Sequence, residues 1–249
     1  MRDLHTHTTY SDGTTSPEEM IRAAIDMGLE EIGISDHSYT FFDESYCVKK
    51  DKIEEYKREI AELKEKYKGR ISVLCGVEQD AFSTEPTTGY DYVIGSAHYL
   101  KIGEEYYPLD LSRMRFSHAC RDGFGGDYYA LAEAYFDLVS RFAEREDVSI
   151  IGHFDLIAKY NRLGHIFDEE NPRYLAAAKK AIDKLIAAGK TFELNVGAIA
   201  RRYRGVPYPA PTLLDYIREK GGKLILASDA HAPQNIAFAF DIFAKEIGL

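Results

Sequence analysis

The sequence has few cysteines and no long hydrophobic run. Its three cysteines, Cys47, Cys75 and Cys120, are an odd number without a CxxC spacing, which argues against a disulfide framework and against a thiolate zinc site. No apolar stretch approaches the roughly 20 residues that a membrane-spanning helix requires. Any metal must therefore be held by nitrogen and oxygen ligands, and we expect no membrane partner.

The chain also lacks a positive net charge. Its formal charge is -10 at pH 7, which disfavours nucleic acid as a partner because duplex binding depends on cationic contacts to phosphates. A small-molecule substrate is expected instead. The first residues are acidic and carry histidines where a signal peptide would need an apolar stretch, so the cytoplasm is the expected compartment. The sequence leaves the oligomeric state open, a monomer included.

Short apolar runs alternate with helical patterns along the chain, which is typical of parallel strands joined by crossover helices. The sequence therefore predicts an α/β fold, and 249 residues without a linker or repeat predict one domain over 1–249. Seven strands are predicted, at 2–6, 31–35, 71–78, 90–96, 148–153, 191–196 and 223–228.

The first helix is predicted to begin after Ser16, with Pro17 at its first position and Glu19 closing a capping box, and to end at Gly28. Further helices are predicted at 51–67, 128–145, 172–188, 211–220 and 234–246. The stretches 79–90 and 99–126 break this rhythm and are expected to be long loops, which in compact domains are often functional.

Polar side chains that can bind metal follow every predicted strand. In a parallel barrel the carboxyl ends of all strands open onto one face, so these side chains are expected to converge there. A single histidine at a strand end is more often a structural residue, but six of the eight histidines fall at such positions. The side chains are His5, His7 and Asp12, Asp36 and His37, Glu78, His98, His153 and Asp155, Glu193 and Asn195, and Asp229 and His231.

Imidazole and carboxylate ligands without thiolate suit Zn, Mn or Fe. Nine of these side chains are plausible ligands, which is more than one ion needs. With Glu78 as a bridge, the nine can serve three divalent metals. Such a cluster is suited to phosphate ester hydrolysis, in which metals neutralise the phosphoryl oxygens and a metal-bound hydroxide attacks in line.

The motifs HTHTTYSDG, ISDH, GVEQD, GSAHY, GHFD, ELN and SDAH, in this order, resemble the polymerase and histidinol phosphatase (PHP) family. The resemblance covers nearly the whole chain and implies a distorted (β/α)7 barrel with a trinuclear metal site at the carboxyl ends of the strands. Within the family, the chain length, GHFD and the ELN segment followed by YP resemble the histidinol-phosphate phosphatases of histidine biosynthesis.

The resemblance implies three metal positions, with Glu78 shared between two of them. It assigns the first metal to His5, His7, Glu78 and Asp229, the second to Glu78, His98 and His153, and the third to Asp12, His37 and His231.

Phosphate binding also calls for cations beyond the metals, and the arginine fork suits it. Arg162, Arg201 and Arg202 are candidates because they lie on loops expected at the active face, and His118 lies in the long fourth loop. Each of them could equally be an ordinary surface residue.

The leaving alkoxide profits from a proton donor, for which His118, Asp155 and Asp36 are the candidates. For Asp36 the favoured alternative is that it orients a ligand histidine.

Three functions fit these features. The first is a metal-dependent phosphomonoesterase that releases L-histidinol and phosphate from L-histidinol phosphate. The second keeps the site but acts on nucleotides or oligonucleotide ends. The third is a non-catalytic metal-binding or regulatory module, which the complete set of ligands disfavours.

Overall fold

The computed structural model of the protein describes residues 1–162 and 166–248. The strands in chain order are β1 (Arg2–Asp3), β2 (Glu31–Ile34), β3 (Ser72–Asp80), β4 (Tyr92–Ser96), β5 (Tyr99–Ile102), β6 (Glu105–Pro108), β7 (Ile150–Ile151), β8 (Thr191–Asn195) and β9 (Lys223–Ala227). Seven of them form one sheet in the order β1-β2-β3-β4-β7-β8-β9, with every neighbouring pair parallel.

The two ends of this sheet meet, so that it curls into a barrel. A single parallel bridge joins Thr6 to Ala230, and the Ala230 main chain accepts a hydrogen bond from His7 N–H at 2.9 Å. The pairing is uneven, because β1 and β7 contribute only two residues each. The predicted (β/α)7 barrel is thus confirmed, in a distorted form.

The helices lie between the strands, as the alternating pattern predicts. They are α1 (Pro17–Asp26), α2 (Ile53–Lys66), α3 (Arg113–Phe124), α4 (Tyr128–Ser140), α5 (Pro172–Ala187), α6 (Gly197–Ala200), α7 (Pro211–Glu219) and α8 (Phe240–Phe243). The capping box of α1 is present in both directions between Ser16 and Glu19. In the part of the chain that the structure describes, no helix combines the length and apolar character that a bilayer crossing would need.

Helix α5 illustrates how the helices are fixed to the barrel. Its buried residues are Tyr174, Ala178, Ala181, Ile182 and Leu185, which fall on one stripe at helical spacing. Full burial of a Leu or Ile side chain stabilises a protein by about 1.5–3 kcal/mol. These residues share one hydrophobic core with Ile151 and Phe192, on strands whose ends carry polar side chains of the cluster.

The stretch 99–126, expected to be irregular, instead contains the antiparallel β5–β6 hairpin and helix α3. Gly103 at φ 63° makes the hairpin turn, and the Ser112 side chain caps α3 by accepting a hydrogen bond from Arg115 N–H. Both signals are local, but the stretch is short of the apolar periodicity on which strand and helix predictions depend.

The predicted helix at 234–246 is wrong over most of its length. Only α8 is α-helical there, between two 3₁₀ turns, and Ala237 and Ala239 have positive φ. The Ala237 N–H donates to the buried Asp3 carboxylate at 3.1 Å, so a tertiary contact takes a donor that a continuous helix would use internally.

Candidate metal centre

The nine predicted ligands lie together at the carboxyl end of the barrel. His5 and His7 follow β1, His37 follows β2, and His98 follows β4. Glu78 is inside β3, two residues before the strand ends. His153, Asp229 and His231 follow β7 and β9, and Asp12 reaches the cluster from the turn after β1. Most are buried, and His5 and His7 are fully so.

The turn that carries Asp12 is organised by Asp36. The Asp36 carboxylate accepts hydrogen bonds from Thr8 N–H and from Thr8 Oγ1, both at 2.7 Å, and also from Ser11. Gly13 closes the turn, because a Cβ there would lie 2.5 Å from the His7 carbonyl. The turn between His7 and Asp12 is therefore fixed by hydrogen bonds from Thr8 and Ser11 to Asp36.

A second close approach fixes Asp229. This residue has φ 50°, a conformation that costs energy for any residue with a side chain. A Cβ on Gly197 would lie 2.8 Å from the Asp229 Cβ, so only glycine leaves room for the aspartate at this place. The strained backbone directs the Asp229 carboxylate towards His5 and His7.

Glu78 is at the centre of the cluster and faces histidines with both oxygens. Its Oε1 lies 2.7 Å from His153 Nε2 and 3.4 Å from His98 Nε2. Its Oε2 lies 3.4 Å from His5 Nε2 and 3.6 Å from His7 Nε2. The same Oε2 also lies 2.7 Å from His37 Nδ1. The two oxygens of Glu78 thus face different histidines, which suits a bridging ligand.

Two aspartates complete the outer parts of the cluster. Asp229 Oδ1 lies 3.3 Å from His7 Nε2 and 3.8 Å from His5 Nε2. Asp12 Oδ1 lies 3.3 Å from His231 Nε2 and 3.5 Å from His37 Nε2. Each carboxylate therefore meets the histidines with which the family resemblance groups it.

Among residues 1–162 and 166–248, four sets of side chains have ligand atoms within 4.8 Å of one another. They are His7, Asp12, His37 and His231; His5, His7 and Asp229; His5, Glu78 and His153; and His37, Glu78 and His98. The first two contain the groupings predicted for the third metal and, apart from Glu78, for the first. His98 and His153 fall into different sets, although each of them faces Glu78.

Several buried polar atoms of the cluster lack a hydrogen-bond partner among the described residues. They are His5 Nε2, both ring nitrogens of His7, Glu78 Oε2 and His153 Nδ1. An unsatisfied buried polar group costs about 1–3 kcal/mol, so native proteins rarely leave several together. Nitrogen and carboxylate atoms aimed at a common space fit Zn, Mn or Fe, whose bonds to them would remove this cost.

The electrostatics of the cluster also suit cations. Burial lowers the pKa of His7, and the neighbouring histidines lower it further, so that its imidazole is neutral. Burial raises the pKa of Glu78, but His37 and other histidines outweigh burial and hold it well below its usual range. Asp229 is likewise held ionised, chiefly by Arg201. Burial lowers the pKa of His5, His37 and His98, but the neighbouring carboxylates outweigh burial and raise it. The carboxylates therefore attract positive charge into the cluster, and a metal ion would take the place of these protons.

Two further carboxylates hold ligand histidines in place. Glu193 Oε1 lies 2.7 Å from His5 Nδ1, and its Oε2 accepts the His153 main-chain N–H at 3.1 Å. Asp80 Oδ2 lies 3.2 Å from His98 Nδ1. Because these carboxylates can only accept, each fixes the proton on Nδ1 and leaves Nε2 free for a metal.

A cavity of about 320 Å³ opens above the cluster. Asp12, His37, His98, His153, Asp229 and His231 contribute to its lining, and Tyr46, Tyr99, Tyr160, Tyr203 and Tyr208 form much of the wall. Arg201 also lines it: Nη2 donates to Asp229 Oδ2 at 2.8 Å, and Nη1 lies 2.6 Å from His231 Nδ1. A cluster of potential metal ligands below aromatic walls is an arrangement that can hold a small phosphate ester.

Comparison with known proteins identifies the family. The PHP domain matches residues 3–197. The chain belongs to the PHP family. It is 32% identical to the "Probable histidinol-phosphatase" of Deinococcus radiodurans, over 98% of this chain and 92% of that protein.

Two solved structures share the PHP fold over almost the whole chain. A candidate histidinol phosphatase from Listeria monocytogenes is 19% identical with a TM-score of 0.85, covering 98% of this chain and all of that one. The histidinol phosphate phosphatase of Lactococcus lactis, solved with Zn, L-histidinol and phosphate, is 22% identical with a TM-score of 0.69, covering 98% and 92%. At these identities the likeness shows the fold alone.

Of the residues predicted to bind substrate in this PHP chain, the structure places Arg201 in the cavity lining. Arg162 and Arg202 are exposed, and His118 is half-buried in α3; none of these three lines the cavity. The difference between the adjacent arginines is local, since Arg201 follows directly on α6 whereas Arg202 takes up φ 62°.

The three predicted proton donors also lie outside the cavity lining. Asp36 organises the turn after β1, where its carboxylate accepts from Thr8 and Ser11 rather than from a histidine. Asp155 is fully buried and pairs with Arg204, with Arg204 Nη1 3.3 Å from its Oδ2. It also accepts the Ala210 N–H at 3.0 Å, which holds the loop before α7.

Sequence analysis missed Asp80 as a partner of His98, and Asp110 and Lys159 in the cavity wall. A signal for Asp80 was available, because residues 78 and 80 of one strand point to the same face. Lys159 and Asp110 carried no comparable signal, since they meet only through the packing of two separate loops.

Proposed function

We propose that this PHP protein is a metal-dependent phosphomonoesterase that hydrolyses L-histidinol phosphate to L-histidinol and inorganic phosphate. The observation that carries the proposal is the cluster of nine convergent ligands beneath a cavity of about 320 Å³. The choice of substrate is supported by a relative named histidinol-phosphatase that is 32% identical over 98% of this chain.

The metal positions that we propose are those that the resemblance implies. His5, His7, Glu78 and Asp229 would hold one ion, and Glu78 would share a second with His98 and His153. Asp12, His37 and His231 would hold a third. The partnerless ring nitrogens and the two-sided Glu78 support this arrangement. Zn, Mn and Fe all suit such ligands.

When bound, the divalent ions would supply Lewis-acid neutralisation of the phosphoryl oxygens and lower the pKa of water. The chain itself provides the orientation. Arg201, which is fixed by Asp229 and His231, adds a positive charge at the edge of the cluster, where a planar guanidinium can meet phosphate oxygens. The tyrosine walls limit the access of bulk water, which strengthens every charge interaction inside the cavity.

The test is phosphate release by protein loaded separately with Zn, Mn and Fe. We expect L-histidinol phosphate to be cleaved with a higher kcat/KM than nucleoside monophosphates. Metal analysis of the same samples is expected to give more than one ion per chain. A higher kcat/KM for a nucleotide would assign the site to another substrate, and no phosphate release with any metal would refute the phosphatase function.

A further inference from the structure

The cavity wall carries a carboxylate that the metal cluster does not use. Asp110 lies between the β5–β6 hairpin and α3, and 27% of its side chain is exposed in the cavity. We propose that Asp110 binds the protonated amino group of the substrate and so selects phosphate esters of amino alcohols. This inference rests on the function proposed above and names the residue that would give it specificity.

Asp110 is held firmly in position. Lys159 Nζ donates to its main-chain oxygen at 2.9 Å and to its Oδ2 at 3.0 Å. Tyr160 Oη donates to the same main-chain oxygen at 2.5 Å. Among the described residues, the other carboxylate oxygen, Oδ1, accepts no hydrogen bond. A fixed carboxylate with one unused oxygen is suited to accept from an ammonium group.

The charge state of Asp110 supports this role. Burial raises its pKa, but Lys159 and the nearby His98 and His153 outweigh burial, so that the net pKa lies below its usual value. Asp110 lines the same cavity as the predicted ligands His98 and His153. In L-histidinol phosphate the amino group is on the carbon next to the ester CH₂, so it must lie near the phosphate.

Asp43 is the other cavity carboxylate outside the predicted ligands, and it is less suitable. Its Oδ2 accepts from Tyr99 Oη at 2.7 Å. Its Oδ1 accepts from Ser45 N–H at 3.0 Å and from Ser45 Oγ at 2.6 Å. Because both oxygens are already engaged within the chain, binding an ammonium there would compete with existing bonds.

The experiment compares two substrates that differ only in the amino group. They are L-histidinol phosphate and 3-(imidazol-4-yl)propyl phosphate, assayed with metal-loaded wild type, Asp110→Asn and Asp43→Asn. The measured quantity is the ratio of kcat/KM for the two substrates. We expect the wild type to favour the amine by about tenfold or more, as one charge-assisted hydrogen bond allows. Asp110→Asn should remove most of this preference.

Asp43→Asn is the matched control, and its ratio should stay within about twofold of the wild type. Inhibition by L-histidinol gives a second reading, and Asp110→Asn should weaken it about tenfold or more without weakening inhibition by the deamino alcohol. Equal losses on both substrates in Asp110→Asn, or loss of the preference in Asp43→Asn, would overturn the inference. A wild type that cleaves both esters equally would overturn it too, whereas one that cleaves neither would refute the phosphatase function instead.

Discussion

Replacing Glu193 with Gln tests whether the buried carboxylates set the metal affinity. In the native protein Glu193 Oε1 accepts from His5 Nδ1 at 2.7 Å, while Oε2 accepts from His153 N–H at 3.1 Å and from Asn195 Nδ2 at 2.9 Å. Both carboxylate oxygens are therefore used as acceptors. An amide offers only one acceptor oxygen, so glutamine cannot reproduce this pattern in either orientation.

The two orientations of the amide have different consequences. If its NH₂ faces His5, the imidazole must move its proton to Nε2, which then cannot bind a metal. If its NH₂ faces the other way, it meets two donors and leaves both unsatisfied. Loss of such an orienting carboxylate typically weakens metal binding 10- to 100-fold, which corresponds to about 1.4–2.7 kcal/mol. We expect a loss in this range at the ion that His5 holds.

The assay is competition of the protein with a zinc-binding chelator indicator, followed by metal analysis after gel filtration. Glu169→Gln is a suitable control, because Glu169 also accepts at both oxygens, from Asn161 and Arg204, but lies outside the cluster. Its zinc affinity should change less than about twofold. Unchanged zinc affinity in Glu193→Gln, with a wild-type melting temperature, would show that Glu193 does not orient a metal ligand.

Three further outcomes are expected. Glu78→Gln should leave at most one tightly bound metal and lower phosphate release at least about a hundredfold, since both oxygens of Glu78 face histidines; full stoichiometry by metal analysis would exclude the bridge. Arg204→Met should lower the free energy of unfolding, measured by urea denaturation, by about 3–5 kcal/mol, because it leaves the fully buried Asp155 carboxylate without its ion-pair partner. A change below about 1 kcal/mol would contradict a structural role for the Arg204–Asp155 pair. The cysteines should resist a thiol reagent at pH 8 until the protein is unfolded, because burial raises the pKa of Cys75 to about 12 and of Cys120 to about 11; fast labelling of the native protein would show that the core is open.

The floor of the site, meaning the nine predicted metal ligands, could be predicted because each ligand lies at or near the end of a strand. In a parallel barrel, a residue just after a strand lies at the carboxyl face, so its position in the sequence predicts its position in the fold. His5 and His7 alternate with Thr6 and point to the same side, and both meet Asp229. The seven strands of the barrel sheet were also predicted correctly, with errors only in the residues at which they begin and end.

The wall of the cavity could not be predicted in this way. Asp110 follows the β5–β6 hairpin, where the neighbouring Leu109 N–H donates to the His98 main-chain oxygen at 2.8 Å, and Lys159 meets Asp110 from the loop after β7. The contact between Asp110 and Lys159 joins positions 49 residues apart and follows no period. The prediction of a helix at 234–246 failed for a related reason, because the Ala237 N–H donates to Asp3 on the first strand. Long-range packing decided each case.

This division between floor and wall bears on how specificity can arise on such a barrel. The floor ligands are fixed by strand ends, by the strained Asp229 and by buried carboxylates, so a change at one of them disturbs the whole cluster. Among the described residues, the Asp110 side chain is bonded to Lys159 and to no predicted metal ligand. A substitution at Asp110 can therefore alter which alcohol is accepted without moving a metal ligand. We infer that substrate choice is set by the segment between the β5–β6 hairpin and α3, which contributes Asp110 to the cavity lining, while the strand ends set the reaction.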